Sequence, residues 1–320
     1  MSSADTSRNG SRRCSPSFWN GGASGRRTGV RSRYDVVAIG HLDKGRIIKG
    51  ERAREGVGGA VYFGGIVLAR LGLRVAVVTR LAQADAWMLE ELKNSGIDVF
   101  PVWTEESTGI ENYYPDPDSD FRHCRPLGFA GTFRPGDLPE IQGRLYYLGT
   151  VMAGEIDLAF LRAVAARGPV ALDAQGCLRA LKDGELVTDG WDWAGEALPH
   201  VCYLKVDDRE ARALTGEEER GRAARQLAAR GPVEVVLTHH GGVLVLAGGR
   251  VYQAPFRPKS LAGRTGRGDT CFSAYLARRL QGASPQEATK FAAALTTLKL
   301  ERPGPFRGTV AEVERLAASL

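Results

Sequence analysis

The chain has 320 residues, 43% of them hydrophobic and 25% charged, enough for one large α/β domain with ample core, and no apolar run approaches the ~20 residues of a membrane helix. The formal charge of +6 lies wholly in residues 1–33, where seven Arg face one acid. The remainder holds 36 basic and 36 acidic residues, so bulk charge gives no case for a nucleic-acid-binding domain or a membrane-surface partner.

Residues 1–33 are rich in Ser, Gly and Arg without hydrophobic period, the composition of a disordered basic tail. The folded domain is expected over 34–320. The tail lacks the apolar core of a signal peptide. The five cysteines (Cys14, Cys124, Cys177, Cys202, Cys271) are scattered with no C-x-x-C pair, which points to thiols in a reducing, cytoplasmic setting. The histidines show no metal-ligand spacing, and His239 and His240 would face opposite ways in a strand.

Residues 34–40 (YDVVAIG) read as a buried first strand. Asp43 lies just beyond it, where parallel sheets bind ligands, and is either a hydroxyl-binding residue or a turn Asp. Residues 46–56 have strand character. Gly58-Gly59 then opens a helix rich in small residues that closes at Gly72, and the glycine pair permits close approach of a ligand to the backbone. A strand at 73–79, a helix at 84–95 and a strand at 96–103 follow, an alternation that predicts a parallel sheet covered on both faces. Residues 108–114 and 121–127, around a turn at 115–118, would join 46–56 in a small antiparallel lid (about 46–56 and 107–127). Its exposed edge could pair between subunits as a homodimer.

The alternation resumes with strands at 144–148, 169–173, 200–205 and 233–238 and helices at 156–167 and 218–230. Two strands, 243–247 and 250–253, precede the most informative stretch, residues 263–270 (GRTGRGDT), which feeds an amphipathic helix ending near Gly282. Helices at 284–300 and 309–319 complete the chain. The turn leaves the N–H groups of Gly266, Arg267 and Gly268 free at a helix N-terminus, a ready anion site. Asp269 can cap that helix or take a proton from a hydroxyl beside the anion. Asp207 and Glu210, at another helix start, can stabilise the dipole or organise a metal ion. No G-x-x-x-x-G-K-[ST] is present, and no G-x-G-x-x-G follows the first strand.

Residues 263–271, the Gly58-Gly59 helix ending in LARLG, and Asp207-x-x-Glu210 together resemble, in order and spacing, the PfkB (ribokinase-like) carbohydrate kinases over about residues 34–308. The wording looks closest to the myo-inositol kinase-like members: Gly58-Gly59-Ala60 followed by Phe63, Asp173-x-Gln175-x-x-x-Arg179, Leu204-Lys205, and Pro305-Phe306. The resemblance implies a three-layer α/β/α sandwich with a mostly parallel sheet and a β lid. It implies ATP-dependent phosphorylation of a sugar or cyclitol hydroxyl, with Asp269 as general base and Gly266, Arg267 and Gly268 as anion hole. Asp43, Gly58, Gly59, Gln175 and Arg179 would face the polyol. Thr238, Gly242, Arg264 and Thr265 would meet the nucleotide, and Glu210 with Asp207 would organise Mg²⁺ through water.

The sequence also departs from the pattern. Gly263 replaces the leading Asp, which leaves open the monovalent-cation site of many relatives. Arg264 and Arg267 make the centre more basic, and Phe63 replaces an Asn that contacts sugars. A nucleoside kinase of the same fold, or a non-catalytic ligand-binding relative, are the alternatives. Deleting residues 1–30 is expected to leave activity and melting temperature unchanged, which a melting curve of the truncated protein checks.

Overall fold

The computed structural model describes residues 33–115 and 123–320. Apart from Arg33, the expected basic tail lies outside the described residues, as do most of the turn at 115–118 and the start of the strand at 121–127.

Strand β1 (Arg33–Ile39) is buried on both faces over VVAI, as a central parallel strand requires. The chain then leaves the main sheet for a hairpin of β2 (Asp43–Lys49) and β3 (Arg52–Gly58), where the sequence suggests one strand. Helix α1 (Ala60–Arg70), β4 (Val75–Ala82), a 3-10 segment (Gln83–Leu89) running into α2 (Glu90–Asn94), and β5 (Asp98–Thr104) follow. Strands β6 (Gly109–Tyr114) and β7 (His123–Gly128) return to the first hairpin and complete a four-stranded lid of order β3-β2-β6-β7. The lid is two antiparallel hairpins joined by a parallel pair, β2 with β6.

Strand β8 (Gln142–Gly149), helix α3 (Leu158–Arg167) and β9 (Val170–Asp173) resume the alternation. A short helix α4 (Gln175–Leu178) and the hairpin β10 (Arg179–Lys182) and β11 (Glu185–Thr188) were not expected. The hairpin has a sequence signal all the same. Asp183-Gly184, at φ of 51° and 81°, is the dipeptide that a tight turn with the right twist prefers. Then come α5 (Ala194–Ala197), β12 (Tyr203–Asp207), α6 (Asp208–Thr215), α7 (Arg220–Ala228), β13 (Glu234–His239), β14 (Gly242–Ala247), β15 (Arg250–Pro255), α8 (Arg267–Leu280), α9 (Pro285–Leu300) and α10 (Val310–Ala317).

The main sheet has nine strands in the order β15-β14-β13-β12-β9-β8-β1-β4-β5. It is parallel from β5 to β13, with β14 and β15 as an antiparallel edge. One apolar cluster packs α1, α8 and α9 on one face through Phe63, Tyr147, Phe272, Tyr275 and Phe291. A second packs α3 and α7 on the other through Phe133, Phe160, Leu161 and Leu227. This is the expected three-layer sandwich.

The placement of α8 decides where the site lies. It is buried continuously from Thr270 to Ala277, wedged between α1, α9 and the sheet. Gly64 of α1 lets the two helices close up, since a Cβ there would stand 2.4 Å from Ser273 Oγ. The far end of α8 is pinned by a buried carboxylate: Glu234 of β13 accepts from Tyr275 Oη at 2.5 Å and pairs with Arg279 at 2.7 Å. Removing the cation leaves that carboxylate buried with one neutral donor. Arg279→Met is therefore expected to destabilise the fold by about 3 kcal/mol, read from denaturant unfolding.

Candidate active site

The C-terminal ends of β1, β9, β12 and β13 and the N-terminus of α8 converge on one cleft of about 240 Å³, and a larger cavity of about 1530 Å³ opens beside it under the lid. Such a position follows from the topology, because parallel strands present their C-terminal ends to ligand.

One end of the cleft is suited to a polyhydroxy ligand. Asp43 begins β2 opposite Gly58 in the cleft wall, and its Oδ1 is buried without a partner. Burial pushes its carboxyl up to about 7, against the pull of the Arg179 guanidinium. Gly59, Gln175, Arg179, Asn112 and Thr150 also line this end. Arg179 donates to the Val151 carbonyl at 3.2 Å, and its guanidinium lies against the Gln175 side-chain amide, whose oxygen accepts from it when the amide is turned over.

The other end is cationic. Gly266 is the N-cap of α8 at φ 77°, a conformation glycine adopts without steric cost. A side chain there would also collide with the Phe63 ring, since its Cβ would fall 2.4 Å from Phe63 Cγ. The Arg267 N–H donates to the Arg264 carbonyl at 3.3 Å, so it is not the free donor that the sequence suggests, while Gly268 and Asp269 stand in the first turn within the cleft. Lys205, Arg209, Arg264, Arg267 and the Thr238 hydroxyl surround it. Burial, and after it the neighbouring Asp173 carboxylate, push Asp269 up to about 6, while Lys205, Lys299 and Arg179 hold it down.

Beneath both ends lies a buried charge chain. Lys205 Nζ stands 3.0 Å from Asp173 Oδ1 and 3.5 Å from Glu210 Oε2, with all three side chains almost wholly buried. Two carboxylates and one ammonium satisfy each other there better than any of them could alone. A Cβ on Gly268 would come within 3.0 Å of Lys205 Cε, so the lysine reaches the underside of the anion-binding turn.

Asp207 and Glu210 meet as a reciprocal capping box: Asp207 Oδ1 accepts from the Glu210 N–H at 2.9 Å, and Glu210 Oε2 from the Asp207 N–H at 2.7 Å. The structure thus gives them the helix-capping role and also sets both in the cleft wall. Among the described residues no group of three His, Cys, Asp or Glu has metal-holding geometry. Gly242 does not line the cleft. It lies in β14 with its Cα facing the Ala254 carbonyl of β15. Arg264 and Thr265 line both cavities.

Several site residues were not singled out from the sequence. Arg209 lies between Asp207 and Glu210, and Lys299 interrupts the apolar stripe of Ala288, Ala292 and Leu295, which is the signal it offers. Glu155, fully buried, accepts from the N–H groups of His41, Val151 and Met152 at 3.1, 2.6 and 2.9 Å and so ties the ends of β1 and β8 together. No local pattern marks it. His41 is buried beside it. The Thr108 hydroxyl accepts from the Ala130 N–H at 3.0 Å and shares a hydrogen bond with His41 Nδ1 at 2.7 Å. Burial and the nearby Arg80 guanidinium lower the imidazole to about 3, which keeps it neutral.

Carboxyl and amide groups at one end, a carboxylate at the junction and cations at a helix N-terminus are the parts that phosphoryl transfer needs. The comparisons agree with that description. The profile of the pfkB family carbohydrate kinases matches residues 34–309. A pyrophosphate-dependent kinase of the ribokinase family, in complex with sulfate, is similar at 32% identity, covering 87% of this chain and 99% of its own, with a TM-score of 0.82. A pyrophosphate-dependent kinase of that family bound to a pyrophosphate analog and myo-inositol is 31% identical, over 88% of this chain and 99% of its own, with a TM-score of 0.81. Arabidopsis thaliana ribokinase with ribose and ATP shares the fold at 19% identity and a TM-score of 0.70, over 89% of this chain and 99% of its own. No curated protein sequence matches the chain. With the family profile spanning nearly the whole described domain and the cleft placed where phosphoryl transfer needs it, the chain belongs to the pfkB family of carbohydrate kinases.

Proposed function

We propose that this kinase transfers a phosphoryl group from inorganic pyrophosphate to a hydroxyl of a cyclitol such as myo-inositol. The observation that carries the donor assignment is the concentration of Lys205, Arg209, Arg264 and Arg267 around the α8 N-terminus. Four cations at a helix N-terminus match the charge of a diphosphate. The two relatives above 30% identity use pyrophosphate, and one of them binds myo-inositol. The sequence reading favours ATP. Against it, the segment expected to form a nucleotide loop is a tight β13–β14 turn, His239 opposite Gly242, with Gly242 packed on β15.

In this reading the acceptor ring lies against Asp43, Gln175 and Arg179, with one hydroxyl directed at Asp269. The Asp269 carboxylate takes the hydroxyl proton as the oxygen–phosphorus bond forms. The bridging oxygen–phosphorus bond breaks and orthophosphate leaves with that electron pair. The Gly268 amide and the Lys205 ammonium stabilise charge on the transferring group, a preorganised effect of several kcal/mol. Mg²⁺, when bound, would neutralise phosphate charge. Asp207 and Glu210 fit it only as partners of its waters, because Glu210 is already engaged by the Asp207 amide and Lys205.

A phosphate-release and nucleotide-release assay over cyclitols and pentoses tests the reading. The expected result is turnover with pyrophosphate and a cyclitol. Turnover with ATP alone would overturn the donor, and turnover with ribose alone the acceptor. Asp269→Asn should lower kcat by about 10³-fold without loss of fold. Because the base must be ionised and its carboxyl is pushed up to about 6, kcat/KM of the wild type should fall below that pH and level off above it. An acid limb at the ordinary carboxylate range would contradict the assignment.

A further inference from the structure

Lys299 ends the buried face of α9, and its side chain is 2% exposed. A buried lysine normally finds a carboxylate. Here the ammonium donates instead to two backbone carbonyls, those of Gly263 and Thr265. It also stands 5.3 Å from the centroid of the Phe63 ring, whose face lies under Gly266. The same segment is fastened to the end of α9 by a second contact, the Gly263 N–H to the Leu300 carbonyl at 2.8 Å. The fit is close enough that a Cβ on Gly263 would lie 1.9 Å from the Arg302 carbonyl oxygen. An aspartate therefore cannot occupy position 263 in this arrangement, and the positive charge at 299 meets the negative end of the α9 dipole.

We propose that Lys299 is a positioning residue, a resident cation that clamps the backbone of residues 263–265 and thereby aims the first-turn amides at the donor and the Asp269 carboxylate at the acceptor hydroxyl. The clamp ends one residue before the N-cap, so any slack in it passes directly to the anion-binding turn. Without the ammonium, the Gly263 and Thr265 carbonyls would face each other across an apolar gap, and unpaired buried carbonyls are unfavourable. Burial moves the Lys299 ammonium down to about 8, with the Arg267 charge adding to that and Asp269 opposing it, so the cation persists at neutral pH. The inference rests on the kinase reading, in which this turn holds the donor.

Lys299→Met keeps the apolar stem and removes the charge. Its kcat should fall about 100-fold with the acceptor KM little changed, the signature of misplaced catalytic groups. Amide hydrogen exchange of the peptide spanning residues 263–270 should quicken. Ammonium or potassium ions should restore both in the variant by entering the vacated carbonyl nest, while the wild-type rate stays indifferent to them. Wild-type exchange and rate in the variant, or a slow variant that no cation rescues, would overturn the proposal. If the variant does not fold, the wild type decides, because a wild-type rate that rises with potassium shows that the cation is not resident. A wild type inert towards every donor and acceptor would sink the kinase reading, and the exchange of residues 263–270 would still judge the clamp.

Discussion

The site depends on charge being held inside an otherwise apolar parallel sheet. Asp173, Lys205 and Glu210 sit at the ends of β9 and β12 and at the start of α6, where the backbone delivers them to one point. Buried ions are tolerated when they are paired and hydrogen-bonded, and here the backbone N–H groups of Gln175 and Asp207 add to the ion pairs, although Asp173 Oδ2 is buried without a partner. The arrangement fixes a positive charge under the α8 turn and a negative one beside Asp269. One effect of the latter is visible in the basicity of Asp269, which Asp173 raises.

Helix packing then converts that fixed field into a geometry. Helix α8 is located by three unlike restraints: close steric contact with α1 at Gly64, the Glu234–Arg279 pair at its far end, and the loop docked on α9 at its near end. Each lies on a different neighbour, so the helix has little freedom to slide or roll. Its first turn carries the Arg267 and Gly268 backbone and the Asp269 carboxylate, so one rigid body fixes their relative positions. Phe63 belongs to this assembly more than to a sugar pocket, because its ring is the surface on which Gly266 rests.

The order of elements was legible because period and punctuation agree: apolar runs such as VVAI and VALD for buried strands, Ser284 with Glu287 for a capped helix. The turn before α8 was legible for the same reason, since glycines at a helix start have few other uses. The lid was harder. Its strands are polar and half-exposed, and the parallel β2–β6 pairing joins residues some 65 positions apart, which no local pattern encodes. The supporting charges were hardest of all. Asp173, Glu155, Lys205 and Lys299 acquire meaning only from partners distant in the chain, and a lone Lys in an apolar stripe says that something polar waits opposite without saying what.

The contact between His41 and Thr108 has a consequence of another kind. It joins the exit of β1 to the root of the lid, and the Lys44 amide adds a bond to the Thr108 carbonyl at 2.9 Å. An imidazole held neutral down to about pH 3 keeps that contact unchanged around neutral pH. The carboxyls on either side of that contact behave differently: Asp43 opens β2, Glu155 accepts from the His41 N–H, and burial pushes both up to about 7, so acidification reaches the root of the lid as well as Asp269.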